Sequence, residues 1–165
     1  MRIRESEQAD LTEIFAVINE AAQTYRGVIP IDRWHEPYMS MSELEREIAQ
    51  GIIFWVAEEE GHLLGVMGIQ DKGAVALVRH AYVRPATQKK GVGTKLLRYV
   101  ESLACKPVLI GTWADASWAI EFYRRNGYTV VSDSHKERLL RTYWSIPERQ
   151  IETSVVLADR RWMET

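Results

Sequence analysis

The residues best suited to chemistry in this chain are Gln88-Lys89-Lys90-Gly91-Val92-Gly93-Thr94. They follow an apolar run ending Tyr82-Val83-Arg84-Pro85, and they open a helical pattern. A helix begins with amide N–H groups that lack partners, and its dipole adds partial positive charge there. Phosphate or pyrophosphate suits such a place. Gly91 and Gly93 have no Cβ, so a ligand can come close to the backbone. Lys89 and Lys90 add two cations at the same spot. The string is neither the G-x-x-x-x-G-K-S/T phosphate loop nor the full G-x-G-x-x-G dinucleotide fingerprint. Taken alone, it also fits an ordinary strand-to-helix connection.

A second motif lies downstream: Trp118-Ala119-Ile120-Glu121-Phe122-Tyr123-Arg124-Arg125-Asn126-Gly127-Tyr128. Together the two strings resemble the signature of the GNAT superfamily of acyl-CoA-dependent N-acetyltransferases. The family's pyrophosphate loop, Q/R-x-x-G-x-G/A, is matched from Gln88 to Gly93. Its second motif, close to A-x-x-F-Y-x-x-x-G-F/Y, is matched by Ala119, Phe122, Tyr123, Gly127 and Tyr128. The motifs and their connection span residues 75–131, and the order of strands and helices extends the similarity to most of the chain.

The resemblance implies acetyl-CoA as co-substrate. Its pyrophosphate would lie on Gln88, Lys89, Lys90, Gly91, Val92, Gly93 and Thr94, with the Thr94 hydroxyl available. The strand ending at Val83 would pair with the pantetheine arm through backbone groups. An N–H near Tyr82 or Val83 would polarise the thioester carbonyl. The resemblance makes Tyr123 the candidate general acid for the departing sulfur; the alternative is a core aromatic with a satisfied hydroxyl. One position departs from the family. Where many members carry Asn, this chain has Ala116, flanked by Asp115 and Ser117. Ser117 or Asp115 would replace that contact to coenzyme A, or merely cap the helix.

An amine acceptor must lose a proton, so a base or a water chain is needed. His80 is one candidate, because imidazole ordinarily titrates near neutrality. Strand alternation puts Arg79 and His80 on opposite faces unless a bulge intervenes. Glu36, Glu58 and Glu152 are weaker candidates. The aromatic segment from Val28 to Met39 lies where the family generally builds its acceptor pocket. Trp34 and Tyr38 could wall that pocket and Glu36 attract an ammonium; a lid over the chain's own core or a dimer contact is the alternative. Tyr143 and Trp144 repeat the theme, closing the same pocket or covering a partner subunit.

These residues need elements to hold them. Hairpin strands are expected at 52–58 and 63–70, turning at Glu60-Gly61-His62, and a third long strand at 74–83. Shorter strands are expected at 2–5, 108–112, 128–131 and 152–157. Helices are expected at 10–24, capped by Asp10 with Glu13, and at 42–51, capped by Ser42 with Glu45. Others follow at 91–104, at 116–126 and, briefly, at 135–141. Antiparallel strands followed by a β-α-β-α-β succession give a mixed α/β fold: a central, mostly antiparallel sheet with helices on both faces. The resemblance adds two parallel strands that splay apart.

Composition sets the frame. The chain has 165 residues, 46% hydrophobic and 27% charged, which fits one soluble domain over 1–165. A net charge of −2 gives no support for nucleic-acid capture. One cysteine, Cys105, excludes an intrachain disulfide framework; it reads as a small half-buried residue in a reducing compartment. No metal is expected, since His35, His62, His80 and His135 are scattered. No apolar run has the length of a membrane span, and a cytoplasmic location is expected. The expectation is therefore a single-domain acetyltransferase that acts on a small-molecule amine or a peptide by direct attack in a ternary complex, with a homodimer among its assemblies. The alternatives are acetylation of a protein N-terminus or lysine, and a non-catalytic acyl-CoA sensor on the same fold.

Overall fold

The computed structural model describes residues 1–162. Its mixed α/β fold divides into two compact units. The first comprises Met1–Thr24, His35–Asp71 and Val78–Cys105. It contains β1 (Arg2–Glu5), α1 (Leu11–Ala22), α2 (Met41–Ala49), β2 (Ile53–Glu59), β3 (His62–Asp71), most of β4 (Ala76–Val83) and α3 (Val92–Leu103). Its strands are hydrogen-bonded in the order β1-β2-β3-β4. β1 and β2 are antiparallel, as are β2 and β3, which meet in a hairpin with Glu59 opposite His62.

Alternation along β2 explains the core of this unit. Ile52, Phe54 and Val56 point to one side and pack with Ile14, Val17 and Ile18 of α1, Leu44 of α2, and Leu63 and Val66 of β3. Each of these side chains is at most 2% exposed, so burial of a leucine or isoleucine here contributes about 1.5–3 kcal/mol. Gly68 permits close strand approach. A Cβ there would stand 2.7 Å from the Arg79 carbonyl oxygen and 2.8 Å from Ile52 Cγ2.

The second unit comprises Tyr25–Trp34, Lys72–Leu77 and the described residues from Lys106 onward. It contains β5 (Val108–Trp113), α4 (Ser117–Arg125), β6 (Thr129–Val130), α5 (Asp133–Tyr143), α6 (Glu148–Glu152) and β7 (Ser154–Ala158). β7 pairs antiparallel with both β5 and β6. Its core is built from Val75, Leu77, Leu109, Val131, Leu139, Leu140, Ile151 and Val156.

Several sequence expectations need correction. Ser40, not Ser42, caps α2, its Oγ accepting the Glu43 N–H at 3.1 Å. Asp10 does not cap α1 with its side chain. Arg4 takes that carboxylate in a two-pronged ion pair at 2.7 and 2.9 Å, and Glu13 instead accepts the Leu63 N–H at 2.7 Å. The short helix expected at 135–141 runs from Asp133 to Tyr143, capped by Ser132. An unforeseen helix, α6, delays the last strand to Ser154. Cys105 is exposed rather than half-buried.

Candidate active site

The glycine loop is built from the end of β4. Arg84 anchors it: Nε donates to the Leu63 carbonyl at 2.7 Å, while the guanidinium meets Glu20 at 2.6 Å and Glu13 at 3.3 Å. A turn of 3-10 helix follows at Pro85–Thr87. Thr87 Oγ1 donates back to the Arg84 carbonyl at 3.0 Å, and Gln88 Nε2 reaches the Val83 carbonyl at 3.4 Å. Gln88 therefore folds back over the strand end. Lys89 has φ +71°, and Gly91 is the N-cap of α3 with φ +78°.

No side chain caps α3. Its first helical bond to the cap runs from the Lys95 N–H to the Gly91 carbonyl at 3.0 Å, so the amides of Val92, Gly93 and Thr94 precede the helical ladder. Val92, Leu96, Leu97 and Val100 are buried and fix the helix, while Lys89, Lys90, Gly91 and Thr94 are exposed. Nothing lies within 4 Å of the place a Gly91 Cβ would occupy. An exposed, uncapped N-terminus with two lysines beside it fits a diphosphate.

His80 lies upstream on β4, and its backbone is left-handed, with φ +56°. This overturns the expectation that Arg79 and His80 diverge. The rotation brings both side chains to Glu47 of α2. Arg79 meets Oε1 at 3.4 Å, and His80 Nε2 pairs with Oε2. The latter two atoms are buried, and each is the other's ion-pair partner. Burial works to raise the Glu47 pKa. The hydrogen bond from His80 and the charges of His80, Arg79 and Arg46 outweigh it and hold the carboxyl below its ordinary range. Phe54 stacks on the imidazole, with ring centroids 6.2 Å apart. Arg79 also donates to Gln70 Oε1 at 3.4 Å, and Gln70 Nε2 donates to the Gln50 carbonyl at 3.2 Å.

In the second unit, Tyr123 is 7% exposed on α4, held edge-on between Phe122 at 5.1 Å and Tyr128 at 6.0 Å. Burial, reinforced by Tyr25, pushes its phenol well above the ordinary tyrosine value. The hydroxyl therefore stays protonated at neutral pH. Tyr25 in turn packs on Trp118, with centroids 5.1 Å apart. Ala116 is the N-cap of α4, and neither Asp115 nor Ser117 caps the helix; Ser117 is exposed at its first position.

The proposed acceptor residues are partly tied down. Glu36 is exposed and takes two 3.3 Å bonds from Gln23 Nε2. Tyr38 stacks with His35 at 6.3 Å, and Trp34 is half-buried. Tyr143 and Trp144 are half-buried and pack against the core of their own unit. The Trp144 ring lies over Gly111, where a Cβ would be 3.3 Å away.

Residues 50–130, which include the glycine loop, β4 and the Tyr123 motif, match the family described as acetyltransferase (GNAT) domain. The chain belongs to the GNAT superfamily. It is 23% identical over 151 residues to the peptidyl-lysine N-acetyltransferase YiaC of Escherichia coli (strain K12), covering 92% of this chain and 99% of that protein. It is 33% identical over 88 residues to the S-(2-succino)cysteine N-acetyltransferase of Bacillus subtilis (strain 168), covering 45% of this chain and 53% of that protein. Its fold matches that of PaiA N-acetyltransferase from Thermoplasma acidophilum, solved in complex with coenzyme A. That match has TM-score 0.73 and 22% identity, over 96% of this chain and 97% of the other.

The GNAT chain is thus an acyl-CoA-dependent N-acetyltransferase, with acetyl-CoA as co-substrate. Among the described residues, no three His, Cys, Asp or Glu side chains cluster as a metal site, and no helix is long and apolar enough to cross a membrane. Sequence reasoning missed Glu47 and Gln70. Their only signal was a polar pair in otherwise ordinary elements, far in sequence from His80.

Proposed function

We propose that this enzyme acetylates a primary amine by direct attack, with the uncapped N-terminus of α3 holding the diphosphate of acetyl-CoA. That helix start, with left-handed Gly91 and exposed Lys89 and Lys90, is the observation that carries the reading. Gln88, Lys89, Lys90, Gly91, Val92, Gly93 and Thr94 bind the diphosphate. Tyr82 and Val83 offer backbone groups to the pantetheine arm and an N–H to the thioester carbonyl, and Ser117 contributes a hydroxyl. Acetyl-CoA supplies an acetyl group on a good leaving group. His80 removes a proton from the amine as the C–N bond forms. Tyr123 gives its proton to the sulfur as the C–S bond breaks. Trp34, Glu36 and Tyr38 line the acceptor side, where Glu36 attracts an ammonium and the rings supply an apolar wall. Residues 1–165 serve as one catalytic domain, in a reducing compartment consistent with the exposed thiol of Cys105.

A lysine on a polypeptide is the second reading of the acceptor, favoured by the peptidyl-lysine relative that spans nearly the whole chain. Release of coenzyme A, followed across a panel of small amines and lysine peptides, tests both. Turnover on small amines alone sustains the first reading. Turnover on peptides alone sustains the second, and none on either defeats the proposal.

A further inference from the structure

The buried contact between α2 and β4 has a geometry that a simple strand-to-helix brace does not need. We infer that Glu47 is a positioning residue for acetyl transfer: it accepts the Nε2–H of His80, fixes the imidazole tautomer and leaves Nδ1 to take the proton. The inference rests on His80 acting as the base.

Three independent restraints converge on the ring. The left-handed backbone at His80 turns its side chain toward α2, in a conformation disfavoured for a non-glycine residue. Phe54 of β2 stacks on the ring. Glu47 Oε2 receives Nε2, with the two side chains only 17% and 14% exposed. Arg79 occupies the other carboxylate oxygen, so Glu47 cannot turn away without losing a second ion pair. With Nε2 engaged by Glu47, Nδ1 is the ring nitrogen left to take a proton.

The charges around the ring decide the direction of the effect. From α2 come Glu47 and, behind it, Arg46; from β4 comes Arg79; β2 and β3 contribute Phe54 and Gln70, which do not titrate near neutrality. Glu47 is the one anion among them, and it stands where it can balance a positive charge formed on the ring. When Nδ1 takes the amine proton, Nε2–H stays on the ring and Glu47 balances the new charge. Tyr123 loses its proton to the departing thiolate, and water then restores both groups. The carboxylate is neither consumed nor protonated. A pair that only braced the fold would leave the pH response of catalysis untouched.

The test uses the full chain labelled with 15N-histidine: wild type, Glu47→Gln, Glu47→Asp and Glu47→Ala, with His80→Gln to assign the resonance. Wild type should show a single neutral tautomer protonated at Nε2, and Glu47→Ala a mixture of the two. In Glu47→Gln the anion is gone, and the pH profile of kcat/KM should depart from that of wild type, measured with acetyl-CoA and a peptide bearing a free N-terminus and one lysine. Its kcat should drop on the order of tenfold to a hundredfold, part of what a general base contributes, with KM for acetyl-CoA unchanged. Glu47→Asp keeps the charge and should restore the wild-type pH profile, which guards against misfolding of the Gln variant. A wild-type kcat and pH profile in Glu47→Gln would overturn the role of Glu47 alone. An acid limb that survives in His80→Gln would remove His80 as base, and the positioning role with it.

Discussion

At the scale of single residues, Tyr123 and Gly91 each carry a proposed role that one substitution can test. The Tyr123 hydroxyl sits in a buried aromatic setting that keeps it protonated, as a proton donor to a thiolate must be. Tyr123→Phe keeps the ring between Phe122 and Tyr128, so folding should be little changed. Its kcat should fall on the order of a hundredfold while the acetyl-CoA Kd stays the same; wild-type turnover would end the general-acid assignment. Gly91 acts differently. A Cβ there meets nothing, yet φ +78° belongs to the left-handed region that β-branched residues avoid. Gly91→Val should therefore refold the loop rather than the core. Acetyl-CoA binding should weaken at least tenfold with a thermal midpoint within a few degrees of wild type, read by titration calorimetry and circular dichroism. Normal binding by that variant would disprove the loop assignment.

At the scale of elements, what could be read from the sequence was what is local. The helix after the glycines and the β2–β3 hairpin follow from period and turn chemistry, so their positions agree with expectation to within a residue or two. Asp10 stands at the N-cap of α1, yet its side chain does not cap the helix, because competition for it comes from elsewhere. Arg4, on β1, takes the Asp10 carboxylate that would have capped α1. The conformation of His80 was hidden for the same reason. Alternation is a property of a regular strand, and nothing in Arg79-His80-Ala81 signals a left-handed residue. The room for it is made on the neighbouring strand by Gly68, whose missing Cβ lets the Arg79 carbonyl approach. Gly68→Ala should force β3 and β4 apart where Arg79 and His80 turn toward Glu47. A loss of stability of about 1–3 kcal/mol is expected, with kcat reduced more than acetyl-CoA affinity. Chemical denaturation and steady-state kinetics measure the two effects, and an unperturbed variant would show that the close approach is not needed.

On the scale of the whole molecule, the internal ion pairs set the response to acid. Arg4 holds the Asp10 carboxyl below its ordinary value, chiefly by their hydrogen bonds; burial opposes this, and the Glu7 amide assists. Glu47 is shifted the same way. A carboxyl whose folded pKa lies below its unfolded value binds fewer protons when folded. Its stabilisation is present in full above the unfolded values, near 3.8 for Asp10 and 4.5 for Glu47, and is lost as pH falls through the folded ones. Unfolding free energy should thus be flat from pH 6 to 7 as far as these groups decide it, and should decline below about pH 4.5. Asp10→Asn removes one contributor. It should cost about 1.5–3 kcal/mol at pH 6, the worth of hydrogen bonds to a charged group, and progressively less toward pH 3, where the wild-type carboxyl is itself becoming protonated. The measurement is urea denaturation of both proteins at half-unit steps of pH. Two parallel curves would mean that the Arg4–Asp10 pair contributes nothing to acid sensitivity, whereas curves that converge at low pH would place part of that sensitivity at the junction of β1 and α1.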